Sequence, residues 1–238
     1  MTEKNSSPDL PPQREIKSFV LRGRITKSQG KALEEHWLDY GCSLEDGILD
    51  PIETFNQTGP TVVEIGFGNG DALLHIATQQ PEVNFVGIEV HRPGVGRLVA
   101  EAEKEKLKNL KVYCDDAVEV FKKCIADQSL ERVQIFFPDP WHKRKHHKRR
   151  LIQDSFVALL MKKLVVGGEI HVATDWQDYA KYVVKVLNRH SGLNNQAIEG
   201  DYCDRPEYRI DTKFERRGIR KGHGVWDVIY KKIDPAAA

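Results

Sequence analysis

A chain of 238 residues, 40% hydrophobic and 30% charged, is long enough for one α/β domain with a full core. Its net charge of +1 does not announce a polyanionic partner, so the basic residues have to be weighed by where they cluster. No apolar run approaches the ~20 residues needed to span a bilayer, the N-terminus has no apolar signal core, and the four cysteines (Cys42, Cys114, Cys124, Cys203) form no C-x-x-C pair, which reads as reduced thiols of a cytoplasmic protein and excludes a zinc site or disulfide framework.

Residues 1–15 hold three prolines and read as a disordered tail. Residues 16–60 read as an N-terminal arm with a helix over Ser28 to Trp37, packed on the core, and 61–234 as the main domain. Thr61 to Ile65 reads as a strand, Asp71 to Gln80 as a helix, and Asn84 to Glu89 as a second strand. Pro93 to Lys108 follows as a long charged helix with proline in its first turn. Leu110 to Cys114 is a third strand and Ala117 to Ala126 a helix. Val133 to Phe137 is a fourth strand and Arg150 to Lys163 a helix. Glu169 to Thr174, entered through Gly167 and Gly168, is a fifth strand, Gln177 to Asn188 a helix, and Val225 to Lys231 a closing strand. Strands alternating with helices of this length predict an α/β fold, a doubly wound and mostly parallel sheet covered on both faces.

Glu64-Ile65-Gly66-Phe67-Gly68-Asn69-Gly70 follows the first strand and opens the first helix. Glycines there permit a tight turn and let a ligand lie against bare backbone. A dinucleotide fingerprint would need glycine at 71, where the chain has Asp71. Glu89 ends the next strand at the distance where an acid accepts the hydrogens of a ribose diol. Asp115 and Asp116 follow the third strand, where an acid can meet an adenine amino group. An acidic lining disfavours pyrophosphate and suits a cationic nucleoside such as S-adenosylmethionine. Each acid taken singly reads as an ordinary strand-end polar residue.

The fourth strand ends in Pro138-Asp139-Pro140-Trp141, which cannot continue it, because proline lacks the donor and fixes φ. Of the nine residues that follow, His142 to Arg150, six are Lys or Arg and three are His. A carboxylate is thus held by a stiff turn beside a dense cationic patch, a layout suited to acting on one group of a polyanion. A second basic region, Arg205 to Lys221, interleaves seven Lys/Arg with Tyr208 and Phe214, which suits RNA with an exposed base. Either run, read alone, is also a solvated surface. The histidines have no carboxylate or cysteine spacing that completes a metal site, and no metal is assigned.

With these residues in view, the chain resembles the bacterial tRNA (guanine-N(7)-)-methyltransferase family of class I methyltransferases. The resemblance is carried by EIGFGNG at 64–70, GIEVHRPGVG at 87–96, FFPDPWHKRKHHKRR at 136–150, ATDW at 173–176, TKFERRGIRKGHGVWD at 212–227 and RGRITKSQ at 22–29. It implies a seven-stranded Rossmann-like sheet and transfer of a methyl group from S-adenosylmethionine to nitrogen-7 of a guanosine in tRNA, at position 46 of the variable loop. It implies that Glu64, Gly66, Gly68, Gly70, Glu89, Asp116 and Asp139 line the cofactor site, Asp139 also being the catalytic acid. Lys143, Asp175, Thr212, Lys213, Phe214 and Glu215 would hold the guanosine or its neighbours. Lys145, His146, His147, Lys148, Arg149 and Arg150 would contact RNA. No obligate protein partner, membrane or metal is indicated.

Nitrogen-7 of guanine carries no proton, so in-line displacement there requires no general base, only positioning. Asp139 or Asp175 could accept from the guanine Watson–Crick edge, while Asp175 could equally be the N-cap of the helix that follows. Two rivals stay open: an inert RNA-binding module that keeps a nucleoside pocket, and a methyltransferase acting on another RNA.

Overall fold

The computed structural model describes residues 23–210, Glu215 and residues 224–234. The expectation for the 1–15 tail lies outside them. In chain order the elements are α1 (Lys27–Tyr40), β1 (Gly41–Cys42), α2 (Pro51–Phe55), β2 (Thr61–Ile65), α3 (Asp71–Gln79), β3 (Asn84–Ile88), α4 (Arg92–Lys104) and β4 (Leu110–Tyr113). They continue as α5 (Ala117–Lys123), β5 (Leu130–Phe136), α6 (Asp154–Lys163), β6 (Leu164–Thr174), α7 (Gln177–Leu187), β7 (Leu193–Asn195) and β8 (Trp226–Lys232).

Eight strands form one sheet in the order β1-β4-β3-β2-β5-β6-β8-β7. All neighbours are parallel except at β8, which runs antiparallel to both β6 and β7. The resemblance implies seven strands and the sheet has eight; the two that the chain-order reading lacks are the short edge strands β1 and β7, which carry no period for the sequence to display. The chain steps outward from β2 through β3 to β4, then returns to β5 on the other side of β2. This places a topological switch point between β2 and β5, and ligands of open α/β sheets bind outside the strand ends there.

The strands are apolar because both faces are covered. Val63, Ile65, Val86, Ile88, Val133, Ile135, Ile170 and Val172 pack under α5, α6 and α7. On the opposite face Val62, Phe85, Leu110 and Val112 pack under α1, α3 and α4. That second face turns polar toward the β8 side. Glu64, Gln134 and His171 stand in register across β2, β5 and β6, all three buried.

Helix boundaries have local causes. A Thr26–Gln29 capping box starts α1 ahead of the expected Ser28. The charged helix stops at Lys104, and Lys106 takes a left-handed φ of 52° just beyond it. β6 begins at Leu164, before the glycines, which sit within it beside a register shift against β5.

Candidate active site

The 64–70 loop leaves β2 as the sequence requires. Gly66, Gly68 and Gly70 adopt φ of 73°, 59° and 80°, left-handed values that an L side chain resists. The Gly66 amide donates to the Ile88 carbonyl at 2.8 Å, tying the loop to β3. α4 then packs against it: a Cβ on Gly94 would lie 2.0 Å from the Gly68 carbonyl oxygen. The small residue in the R-P-G-V-G run of α4 is therefore required by the glycine loop itself.

Glu89 accepts from the Gly68 amide through Oε2 and from the His91 amide through Oε1, both at 2.9 Å. Each oxygen keeps a lone pair for a ligand hydroxyl. Glu64 is buried, and its Oε2 has no hydrogen-bond partner among the described residues. Burial pushes its carboxyl up to about 8. An orphaned acid beneath a bare glycine loop fits a ligand that brings a cation, as the ammonium and sulfonium of S-adenosylmethionine do.

A cleft of about 510 Å³ opens at the switch point, and its walls include Gly66, Glu89, Asp115, Pro138, Asp139 and Trp141. The acid of the β4 pair on that wall is Asp115, whereas the resemblance named Asp116. Asp116 Oδ1 accepts from the Val118 and Glu119 amides and caps α5. The D-x-x-E spacing of Asp116 and Glu119 carried that capping signal in the sequence.

Asp139 is exposed at the cleft wall and makes no hydrogen bond or ion pair among the described residues. The turn that presents it is strained: Phe137 and Trp141, which flank Pro138-Asp139-Pro140, take φ of 51° and 46°. Bulky residues hold such values only where the surroundings over-determine them, as they do at functional sites.

Residues 144–149 form a 3-10 turn, not a free strand of charge, and α6 starts only at Asp154, four residues later than expected. Lys143, Lys145, Lys148 and Arg149 are exposed; His146 and His147 are half-buried. Burial and the cations around it push the His146 imidazole below its ordinary value. Arg149 lies 5.0 Å over the Trp141 ring and lines the cleft. Arg150 does not join this face. It is buried, its Nε donates to the Pro140 carbonyl at 2.9 Å, and its guanidinium lies over Tyr182 at 4.4 Å. The expectation that Arg150 contacts RNA is corrected on that ground; it braces the Asp139 turn from beneath.

Asp175 is exposed just past β6, and the N-cap of α7 is Trp176, so the capping alternative for Asp175 falls away. Trp176 meets His142 ring to ring at 4.1 Å, which draws the Asp175 loop to the basic turn. Thr212, Lys213 and Phe214 lie outside the described residues. Glu215 is buried and holds both terminal nitrogens of Arg209, at 2.7 and 3.0 Å, so this carboxylate is taken up by an internal ion pair. Among the described residues no group of three His, Cys, Asp or Glu could hold a metal, and no helix is long and apolar enough to cross a membrane.

A sequence-family profile described as "Putative methyltransferase" matches residues 58–228. The chain is 50% identical over 220 residues to the tRNA (guanine-N(7)-)-methyltransferase of Alcanivorax borkumensis, covering 92% of each. It is 49% identical over 238 residues to that of Stutzerimonas stutzeri, covering 98% of this chain and 100% of the other. Among solved structures, the 16S rRNA methyltransferase KamB has a TM-score of 0.55 at 15% identity, over 79% of this chain and 95% of that one. The aminoglycoside resistance methyltransferase NpmB1 has a TM-score of 0.51 at 14% identity, over 80% and 94%. At such identities the likeness is one of fold alone. Identity near one half along nearly the whole of two curated relatives makes the chain a member of the tRNA (guanine-N(7)-)-methyltransferase family.

Proposed function

We propose that the protein methylates nitrogen-7 of one guanosine in the variable loop of tRNA, position 46, with S-adenosylmethionine as donor, in the cytoplasm. The observation that carries this reading is a single cleft that has Glu89 and Asp139 on its walls and the basic turn at its rim. Bound S-adenosylmethionine would supply a methyl group on a sulfonium, transferred to the nitrogen-7 lone pair while the carbon–sulfur electron pair stays with sulfur. Glu89 would accept from its ribose diol, Asp115 would meet its base, and Glu64 would answer its positive charge. Asp139 stabilises the cation as it passes to the purine, and Asp175 accepts from the guanine edge. Lys143, Lys145 and Lys148 hold phosphates and carry no base specificity. The test is transfer of labelled methyl to unmodified tRNA followed by nucleoside mapping. Label in 7-methylguanosine of the variable loop is expected; label in another nucleoside, or none, overturns the reading.

The Glu64 carboxyl supplies a second test. Its ordinary value of 4.5 is raised to about 8 in the folded chain by burial. Between those values the unfolded chain has released a proton that the folded chain keeps, so stability falls as pH rises through that window and is flat above it. Glu64→Gln removes this slope and should gain on the order of 1–4 kcal/mol over wild type by pH 9. A cationic ligand favours the ionised carboxylate, so S-adenosylmethionine should release about one proton at pH 7 on binding wild type and none on binding the variant. Calorimetry in two buffers of different ionisation enthalpy counts it. Equal proton release by both proteins removes Glu64 from the site.

A further inference from the structure

A buried ionic network lies behind the Asp139 turn. Arg209 is 2% exposed, Asp227 3% and Glu215 3%. Arg209 Nε and Nη2 donate to the two Asp227 oxygens at 2.6 and 2.8 Å. Its Nη1 and Nη2 donate to the two Glu215 oxygens at 2.7 and 3.0 Å. His171 Nε2 reaches Asp227 at 2.8 Å, and the Tyr208 hydroxyl reaches His171 Nδ1 at 3.0 Å. Burial lowers His171 despite the Asp227 carboxylate; an Nε2–H facing that carboxylate leaves Nδ1 to accept a hydrogen bond from the Tyr208 hydroxyl.

The sheet needs none of this charge for its own hydrogen bonding. β6 and β8 are paired along their length by backbone, and a buried ionic cluster is weak evidence for added stability. What the cluster does reach is the catalytic turn. Arg209 lies 5.8 Å over the Phe137 ring, and His171 meets Phe136 at 4.9 Å. Phe136 and Phe137 lead directly into Pro138 and Asp139, and Phe137 holds one of the two strained φ values.

We propose that Arg209 is a positioning residue for methyl transfer: one guanidinium, clamped between Asp227 and Glu215 and seated on Phe137, backs the turn that carries Asp139 and fixes it relative to β8. Asp227 belongs to β8 and is immovable with the sheet. Two planar carboxylates gripped by the same planar fork leave no free rotation between them, which a lysine's single ammonium cannot reproduce. The Phe137 ring under the clamp is itself on the cleft wall and leads into Asp139, and misplacement of a group at the reacting centre by about 1 Å costs on the order of 10²-fold in rate. It touches neither the glycine loop nor the basic turn, so cofactor and RNA affinities are independent of it.

The inference rests on the proposed transfer to guanosine, and the two fail differently: wild type without transfer refutes that function, whereas variants with wild-type rates refute the clamp. The variants are Arg209→Lys and, because a buried lysine can unfold the chain, Glu215→Gln, which keeps the side chain's size. S-adenosylhomocysteine sites are titrated first, so that every rate is expressed per folded, cofactor-competent molecule. Expected are cofactor affinity within about twofold, tRNA affinity within about threefold, and a single-turnover transfer rate per site lowered about 10–100-fold. A rate per site equal to wild type in the folded variants overturns the proposal, since activity then only follows the amount of folded protein. A loss expressed wholly as weaker tRNA binding overturns it as well.

Discussion

Asp139→Asn should lower kcat/KM for tRNA by about 10²–10³, while the thermal midpoint moves by no more than about 2 °C. The two halves of this result have separate causes. The Asp139 carboxylate is exposed and bonds to nothing among the described residues, so an amide of equal size leaves the native hydrogen bonding as it was. Its place is set by the prolines on either side and by the strained residues Phe137 and Trp141, none of which changes. Positive charge moves from sulfur to the purine ring during transfer, and a fixed carboxylate beside that path acts more strongly on the transition state than on either bound reactant. Turnover at the wild-type rate would remove Asp139 from catalysis. A fall confined to cofactor affinity would reassign it to cofactor binding.

The second large effect is a contrast within one basic run. Replacing Arg144, Lys145 and Lys148 together by Ala should weaken tRNA binding about 10–100-fold at 0.15 M salt. The log–log salt dependence should flatten by roughly 0.7–0.9 for each phosphate that is no longer neutralised. All three side chains are exposed on the 3-10 turn, so cofactor affinity and stability should stay near wild type. The modified nucleoside should not change, because phosphate contacts position and do not read bases. Arg150→Ala should do the opposite. It strands the Pro140 carbonyl and empties the space over Tyr179 and Tyr182, at a cost of about 2–4 kcal/mol in stability. An unchanged salt slope in the triple variant would make the turn a solvated face. A stable Arg150→Ala with weakened tRNA binding would return that arginine to the RNA surface.

The parallel strands were legible because each is a short apolar run between turn residues, and the glycine loop and P-D-P-W turn were legible because glycine and proline restrict φ wherever they stand. Adjacent acids were not separable by sequence position: Asp115 faces the cleft and Asp116 caps a helix, and a shift of one residue exchanges those directions. Arg150 read as the last member of a cationic run, but where the 3-10 turn ends the chain dives, and the final cation goes inside. The Arg209 network was invisible for another reason. His171 and Asp227 each sit in a strand that reads as apolar, and only the register of β6 against β8 brings them together. Seven strands followed from the resemblance; β1 gains its place solely from pairing with β4, with no pattern of its own.

The position of β8 sets a schedule for synthesis. It lies inside the sheet between β6 and β7, although among the described residues it is the last strand in sequence. Until it leaves the ribosome, β6 presents an open edge along residues 169–174, and His171 waits beside it for its carboxylate. An apolar strand with an unpaired edge is a template for the wrong neighbour. The nascent protein must therefore keep that edge from other chains until residues 226–232 arrive, and a chain truncated ahead of Trp226 is expected to aggregate instead of acting as a shorter enzyme.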